Sequence, residues 1–213
     1  MNDVVKNFQS IKASINNSNV NIIAISKTFS IEKIKPLIDY GHNHFGENKV
    51  QEANLKWNSL KSLNPSIKLH MVGKLQSNKA KEAVKLFDFI HSVDNEKLAK
   101  ELAKYENFFN KHNKYFIQVN IGHENQKSGI HVDDVVSLHR FCKNISLNVI
   151  GLMCIPPKNS NSKKYFTELF KINKSLKFKE ISMGMSSDFI DAIQCGSTFV
   201  RIGSAIFGDR FIK

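Results

Sequence analysis

Cysteine is scarce in this sequence, which has only three among its 213 residues: Cys142, Cys154 and Cys195. Their number is odd, they lie far apart, and they lack the paired spacing of a zinc site. A disulfide framework and a cysteine-based metal centre are therefore excluded as the basis of the fold. We expect all three to be reduced and buried, packing as small apolar side chains.

Long apolar runs are also missing, since no stretch of the sequence approaches the roughly 20 residues that span a bilayer. Residues 1–6 include an acidic side chain and no extended apolar segment, unlike a secretory signal. The apolar content of 41% and the charged content of 23% are ordinary for a globular protein, and 213 residues suit one domain. We expect a cytoplasmic protein without a membrane segment.

Acidic residues are outnumbered, because 19 Asp and Glu stand against 31 Lys and Arg and leave a net charge of +12. The lysines are spread along the chain, and no basic block stands apart from the rest. We therefore expect no specific nucleic-acid partner, only weak and nonspecific binding that salt reverses. The same positive field would attract anionic small molecules.

A short apolar run at residues 22–25 is followed closely by Lys27. Such a run is typical of a strand buried on both faces, as in a parallel sheet covered by helices. In an α/β barrel the carboxyl ends of the strands form the active site. A lysine near apolar walls there would have a lowered pKa and a free amine able to attack a carbonyl. The alternative is a lysine that packs at the strand end with its ammonium in water.

The pattern of a strand followed by a helix recurs eight times, at about 26 residues per unit. The strands are predicted at 21–27, 42–46, 67–72, 87–93, 115–121, 147–155, 180–183 and 198–202. The helices are predicted at 31–40, 49–63, 79–86, 95–110, 132–143, 163–176, 188–195 and 204–207. Asp94 is the predicted N-cap of the fourth of these helices, and Ser186 or Ser187 that of the seventh. The alternation predicts an α/β fold, a single-domain (β/α)8 TIM barrel over 1–213 with a leader helix at about 3–17.

Two glycine- and serine-containing loops follow the seventh and eighth predicted strands, at residues 183–188 and 201–208. In many barrels these two loops bind phosphate through backbone N–H groups and a short helix N-terminus. Ser186 and Ser204 would add hydroxyl donors. The alternative is that the serines cap helices and the glycines only turn the chain. Together with Lys27 and Arg201, the loops would suit a phosphorylated aldehyde, and pyridoxal 5'-phosphate (PLP) meets that description.

Several stretches of the chain resemble one known family. They are Ala24–Thr28, Phe45–Asn48 with Gln51 and Glu52, His70–Gly73, Leu75–Lys79, His91–Asp94, Gln126–Gly129, Gly151–Met153, Ser182–Ser186 and Val200–Gly208. In this order they resemble the pyridoxal phosphate homeostasis proteins, which are similar to the N-terminal barrel of alanine racemases. The resemblance covers the chain from about residue 20 to its end.

The resemblance implies that the cofactor is PLP, held by Lys27 as a Schiff base. It further implies a place for Asn48 near the cofactor ring, contacts of Arg201 with the pyridine nitrogen, and phosphate binding by Ser186, Gly203 and Ser204. His70, Met183 and Glu47 would be wall or supporting positions, or simply packed residues. The chain departs from the family pattern at Lys49, Met71 and Ser204, so the resemblance does not determine which residues form the rim of the site.

The implied function is PLP and amino-acid homeostasis without robust turnover, so no catalytic residue and no metal ligand are assigned. Arg201 would keep the ring nitrogen unprotonated, which disfavours carbanion chemistry. Racemisation in the related two-domain enzymes needs a tyrosine from a second domain. The four tyrosines of this chain, Tyr40, Tyr105, Tyr115 and Tyr165, are predicted to lie away from the cofactor. We expect a monomer whose partners are PLP and PLP-dependent apoenzymes.

Three alternatives stay open at this level. The first is a slow PLP-dependent amino-acid racemase or another PLP enzyme on the same barrel. The second is a cofactor-free aldolase that forms its Schiff base between Lys27 and a sugar phosphate. The third is a nucleic-acid binder, which would have to retain its affinity at physiological salt.

Overall fold

Eight parallel strands close into a barrel in the order in which they occur along the chain. The computed structural model describes residues 2–15, 19–124 and 126–209. The strands are β1 (Asn21–Ile25), β2 (His44–Glu47), β3 (Lys68–Met71), β4 (Phe89–Val93), β5 (Lys114–Val119), β6 (Val149–Cys154), β7 (Glu180–Met185) and β8 (Phe199–Ile202). The barrel closes where β1 pairs with β8, which places Ile23 opposite Arg201. The predicted (β/α)8 fold is confirmed.

A helix follows each strand on the outside of the barrel. The helices are α1 (Asp3–Ser14), α2 (Ile31–Asp39), α3 (Val50–Leu63), α4 (Ala80–Leu86), α5 (Glu96–Phe109), α6 (Val135–Asn144), α7 (Ser162–Ser175), α8 (Phe189–Gln194) and α9 (Ser204–Phe207). Single 3-10 turns at Ser77–Lys79 and Val132–Asp134 lead into α4 and α6. The leader helix predicted over about 3–17 corresponds to α1, and residues 16 and 17 of that prediction lie outside the described residues.

The strands are apolar on both faces because each separates two cores. Ile22 and Ala24 point outward into the large core between the sheet and the helices, whereas Ile23 and Ile25 point into the barrel. This alternation is the two-residue period of a strand. It explains why β1 is an uninterrupted apolar run.

Two predicted helix caps are wrong. The N-cap of α5 is Asn95, not Asp94, because the extended backbone of Asn95 lets its Oδ1 accept from Leu98 N–H at 2.9 Å. Asp188 occupies the N-cap position of α8, in place of Ser186 or Ser187. Ser186 is turned instead toward the loop after β8.

The cysteines are all free, and Cys142 and Cys154 are buried. The expectation of burial is wrong for Cys195, which is half-buried at the end of α8. Its Sγ lies 3.6 Å from Thr167 Oγ1 on the neighbouring helix α7. No helix within the described ranges combines the length and the apolar character needed to cross a bilayer.

Candidate functional site

A cleft of about 310 Å³ opens at the carboxyl ends of the strands. It is lined by Ile25, Lys27, Asn48, Val72, Ile155, Met185, Ser186, Ser187, Arg201, Gly203 and Ser204. All six residues predicted to contact the cofactor are therefore brought together in one place. The sequence interpretation missed the apolar wall of Ile25, Val72 and Ile155, which strand parity could have suggested for Ile25 and Val72.

Lys27 is presented by a tight turn that leaves β1. Phe29 N–H donates to Ser26 O at 3.2 Å, and Ser26 N–H donates to Gly46 O on β2 at 2.9 Å. Thr28 adopts a φ of 68° in this turn, in the left-handed region. A β-branched residue rarely adopts that conformation because its side chain crowds the backbone. The turn is therefore strained directly beside Lys27.

Replacing Thr28 by glycine should relieve this strain. We expect Thr28→Gly to stabilise the protein by about 1 kcal/mol, because glycine adopts a positive φ without a steric penalty. Thr28→Val, which keeps the β-branch, should not produce this gain. Urea unfolding of the two variants and the parent protein measures the difference. Equal stability of all three proteins would show that the turn stores no strain.

A buried ion pair supports the same turn from the helix side. Glu47 Oε1 accepts hydrogen bonds from Ser26 Oγ at 2.7 Å, Lys56 Nζ at 2.9 Å and Trp57 Nε1 at 2.9 Å. Lys56 Nζ also donates to Ser26 O at 2.8 Å. The Glu47 side chain is fully buried and that of Lys56 is 9% exposed. These contacts join β1, β2 and α3 immediately behind Lys27.

Glu52 completes this support by accepting from the backbone N–H of Thr28 and from Lys56 Nζ at 3.1 Å. Partial burial raises the pKa of Glu52, but these two hydrogen bonds and the positive charges of Lys56 and Lys49 together outweigh it, so the pKa lies below its ordinary value. The strained Thr28 backbone is thus held by an ionised carboxylate.

Glu47, His70 and Met183, which the resemblance offered as wall, supporting or packed positions, do not line the cleft. Met183 is fully buried in the core between sheet and helices, because β7 directs Met183 outward and Ser182 inward. Glu47 lies behind the Lys27 turn, and His70 is enclosed within the barrel. Of the alternatives left open, Met183 is therefore a packed residue, whereas Glu47 and His70 lie one layer behind the cleft.

Asn48 is held at the end of β2 by close packing against Gly73. A Cβ atom at Gly73 would overlap the backbone of Asn48, so the loop after β3 must carry a glycine here to approach Asn48. Asn48 is half-buried and borders the cleft.

The loops after β7 and β8 meet where backbone N–H groups of the second loop approach Ser186 of the first. Ser186 Oγ accepts from Gly203 N–H at 3.3 Å and lies 3.5 Å from Ala205 N. A Cβ at Gly203 would come no closer than 3.4 Å to any neighbouring protein atom. Glycine therefore leaves room beside the backbone here for a group that approaches from the cleft.

Arg201 forms the floor of the cleft. Its side chain is buried, and its guanidinium donates to two neutral groups, Ser182 Oγ and Cys154 O, both at 2.8 Å. Burial lowers the pKa of Arg201, yet a guanidinium remains protonated under all ordinary conditions. No carboxylate among residues 19–124 and 126–209 lies within ion-pairing distance of it. A buried guanidinium held in this way can donate a further hydrogen bond to a group in the cleft.

All four tyrosines lie outside the cleft, as predicted from the sequence. Tyr40 follows α2, Tyr105 and Tyr165 lie on α5 and α7, and Tyr115 is near the amino end of β5. In the part of the chain that the structure describes, no group of three or more His, Cys, Asp or Glu side chains could hold a metal ion.

The comparison with known proteins agrees with this geometry. The family model of the alanine racemase N-terminal domain matches residues 1–211. A pyridoxal phosphate homeostasis protein of Pasteurella multocida is 37% identical over 204 residues, which cover 91% of this chain and 88% of that protein. A protein of the same name from Aquifex aeolicus is 35% identical over 199 residues, 89% of this chain and 86% of its own.

Solved structures give the same result. PipY of Synechococcus elongatus, solved with PLP bound, superposes with a TM-score of 0.89 at 31% identity and covers 96% of this chain and all of its own. An alanine racemase of Clostridium difficile shares the fold alone, with a TM-score of 0.76 at 12% identity over 96% of this chain and 56% of its own. The chain therefore belongs to the alanine racemase N-terminal domain family, and within it to the pyridoxal phosphate homeostasis proteins.

Proposed function

We propose that this protein binds PLP on Lys27 as a Schiff base and serves the intracellular homeostasis of PLP and amino acids. The observation that carries the proposal is the meeting of a lysine, a buried arginine and convergent backbone N–H groups in one cleft. A phosphorylated aldehyde with a ring nitrogen needs these three kinds of partner. The names of the curated relatives and the PLP in the PipY structure support the choice of this aldehyde.

Each polar group of PLP has a counterpart among the residues of the cleft. Lys27 Nζ forms the covalent bond to the aldehyde carbon, and one water molecule is lost. Ser186, Gly203 and Ser204 hold the phosphate through hydroxyl and backbone N–H groups. Arg201 faces the ring nitrogen from the floor, and Asn48 borders the ring.

The same residues argue for holding the cofactor without robust turnover. PLP supplies an electron sink to enzymes that break bonds at an amino-acid α-carbon. Arg201 is a permanent cation, so it keeps a ring nitrogen that faces it unprotonated and weakens this sink. Moreover, the four tyrosines, all among the described residues, lie outside the cleft and so cannot exchange a proton on a second face. A carrier role is therefore favoured over the slow racemase alternative.

The rim of the cleft suits exchange of the cofactor with other proteins. Ser187 and Ser204 are exposed, and Lys27 is only half-buried. Solvent and amines can therefore reach Lys27, which permits release as well as capture. We assign PLP-dependent apoenzymes as partners of a cytoplasmic monomer and no specific nucleic acid, and the net charge of +12 favours the anionic cofactor.

Borohydride trapping tests the covalent site. After incubation with PLP, the protein should show a visible absorbance band that borohydride converts into a stable adduct, located on Lys27 by peptide mass spectrometry. Lys27→Ala should lose both band and adduct, because it removes the amine that lines the cleft. Lys49→Ala, which removes the exposed lysine beside Asn48, is the matched control and should behave as the parent protein.

Two outcomes would contradict the proposal. An adduct that persists on other lysines in Lys27→Ala with unchanged yield would show nonspecific reaction of a lysine-rich surface. The absence of a visible band with excess PLP, combined with borohydride trapping of a sugar phosphate on Lys27, would favour the aldolase alternative.

A further inference from the structure

A line of three imidazoles crosses the interior of the barrel. His44 on β2, His70 on β3 and His91 on β4 are joined by hydrogen bonds: His44 Nδ1 lies 2.9 Å from His70 Nε2, and His70 Nδ1 lies 2.9 Å from His91 Nε2. His70 also stacks on Phe89, and His91 stacks on Phe116. We call His44, His70, His91 and Ser182 the histidine chain.

The histidine chain ends at the floor of the cleft. His91 Nδ1 lies 3.0 Å from Ser182 Oγ on β7, and Ser182 Oγ accepts from Arg201 Nη1 at 2.8 Å. His70, His91 and Ser182 are fully buried, whereas His44 at the amino end of β2 is half-buried. The chain thus runs from the opposite mouth of the barrel to the guanidinium that borders the cleft.

The buried imidazoles are neutral, so each carries one N–H group. Burial lowers the pKa of His70 and of His91 well below the ordinary value, and the positive charge of Arg201 lowers the pKa of His91 further. Burial likewise lowers the pKa of His44. A neutral imidazole donates through one ring nitrogen and accepts through the other. The chain can therefore be ordered in only two directions.

Arg201 selects one of these directions. A guanidinium has no acceptor, so Arg201 must donate to Ser182 Oγ. If His91 also donated to that oxygen, the buried hydroxyl hydrogen of Ser182 would have no acceptor among its recorded contacts. An unsatisfied buried donor is costly. Ser182 must therefore donate to His91 Nδ1, which places the hydrogen of His91 on Nε2 and, in turn, that of His70 and of His44 on Nε2.

We propose that His91 and Ser182 are positioning residues for Arg201, and that the histidine chain fixes the direction of the Ser182 hydroxyl by this single proton order. The guanidinium then keeps one orientation toward the cleft, with Ser182 and Cys154 holding its plane from behind. The effect on cofactor binding rests on the proposed function, whereas the proton order is a property of the protein alone.

The proton order is tested on the protein without added ligand. Long-range ¹⁵N–¹H correlation spectra of histidine-labelled protein at neutral pH should show His70, His91 and His44 as Nε2–H tautomers. Spectra of His91→Gln assign the lost signals. Finding His70 and His91 as Nδ1–H tautomers, or protonated on both nitrogens, would overturn the proposal whether or not the protein binds PLP.

The positioning role is tested with PLP and two substitutions of His91. His91→Gln can still accept from Ser182 and donate to His70, whereas His91→Leu can do neither. We expect His91→Leu to weaken PLP binding about tenfold, which corresponds to the loss of one hydrogen bond to a charged group. The affinity of His91→Gln for PLP should stay close to that of the parent protein. Phe199→Leu is the packing control, because the Phe199 ring contacts the imidazoles without a hydrogen bond.

The pH profile of the visible band separates positioning from general damage. A less firmly held Arg201 places less positive charge beside the ring, so the pKa of the Schiff base nitrogen should rise in His91→Leu and the band should persist to higher pH. His91→Gln and Phe199→Leu should keep the parent profile. The same loss of affinity and the same pH profile in all three variants would show that the histidine chain contributes only packing, and would overturn the proposal. If the parent protein binds no PLP, the proposed function fails while the tautomer result still stands.

Discussion

Acidification from neutral pH to about pH 5 is expected to destabilise this protein by several kcal/mol, because three histidines, His70 and His91 buried and His42 half-buried, are neutral in the folded protein. Burial lowers the pKa of His42 to about 4, and burial lowers the pKa of His70 and His91 well below the ordinary value. In the unfolded chain these side chains regain a pKa near 6.5. Below that pH the unfolded state binds more protons than the folded state, so stability falls as the pH falls.

The size of the effect follows from the number of protons. Each histidine contributes about 1.4 kcal/mol per pH unit between its unfolded and folded pKa. For His42 this window runs from 6.5 to about 4, and the part of it above pH 5 corresponds to about 2 kcal/mol. The lowered pKa values of His70 and His91 add to this loss, and a domain has only about 5–15 kcal/mol in total.

Urea unfolding at a series of pH values measures this slope. His42→Gln is the matched variant, because it removes one neutral imidazole outside the histidine chain. It should reduce the slope of stability against pH by the contribution of about one proton. Its Nε2 contact with His44 O, 2.8 Å long, can be retained by the amide. A flat stability profile between neutral pH and about pH 5 would show that these histidines are not neutral in the folded protein.

Lys56→Met is expected to destabilise the protein by about 3–5 kcal/mol, because it leaves the charge of Glu47 buried without its cation. Glu47 Oε1 would retain Ser26 Oγ and Trp57 Nε1 as donors, which do not neutralise a carboxylate. The substitution also removes the Lys56 hydrogen bond to Ser26 O beside Lys27. We therefore expect weaker retention of PLP in the same variant.

The controls separate burial from charge. Lys35→Met breaks an ion pair with Asp39 in which the Lys35 side chain is 65% exposed and that of Asp39 is 57% exposed. This substitution should change stability by less than about 1 kcal/mol. Adding Glu47→Gln to Lys56→Met removes the uncompensated charge and should recover part of the loss. Equal effects of the Lys35 and Lys56 substitutions in thermal and urea unfolding would contradict a buried ion pair.

The fold could be predicted from the sequence because strand and helix patterns alternate at a regular spacing. An uninterrupted apolar run such as 22–25 indicates a strand that is buried on both faces. Eight strands that alternate with helices are compatible with few topologies. The caps were harder to predict. Asp94 and Asn95 are both good capping residues, and only the backbone angles of Asn95 decide between them.

Lys27, Arg201 and the two serines of the cleft could be named from the sequence because each lies at or just after a strand end, where a barrel brings them together. Asn48 and Gly203 were named from the resemblance to a known family. The contacts behind the cleft could not be predicted. Glu52 and Lys56 have the spacing of a surface pair on a helix, and only the packing of α3 shows that Lys56 reaches the buried Glu47. The histidine chain likewise depends on the register between β2, β3 and β4, which pairs Gly46 with His70 and His70 with Phe89.

The closing seam between β1 and β8 has a consequence for the timing of cofactor capture. Asn21 and Thr198, which meet at this seam, are 177 positions apart in the sequence. A ribosome makes Lys27 early and the loop containing Gly203 and Ser204 near the end. A nascent chain that stops before β8 has Lys27 but lacks the loop proposed to bind phosphate, and it leaves the edges of β1 and β7 unpaired. Specific retention of the aldehyde can therefore begin only once the last strand has been translated, and occupancy by PLP reports a barrel that has closed.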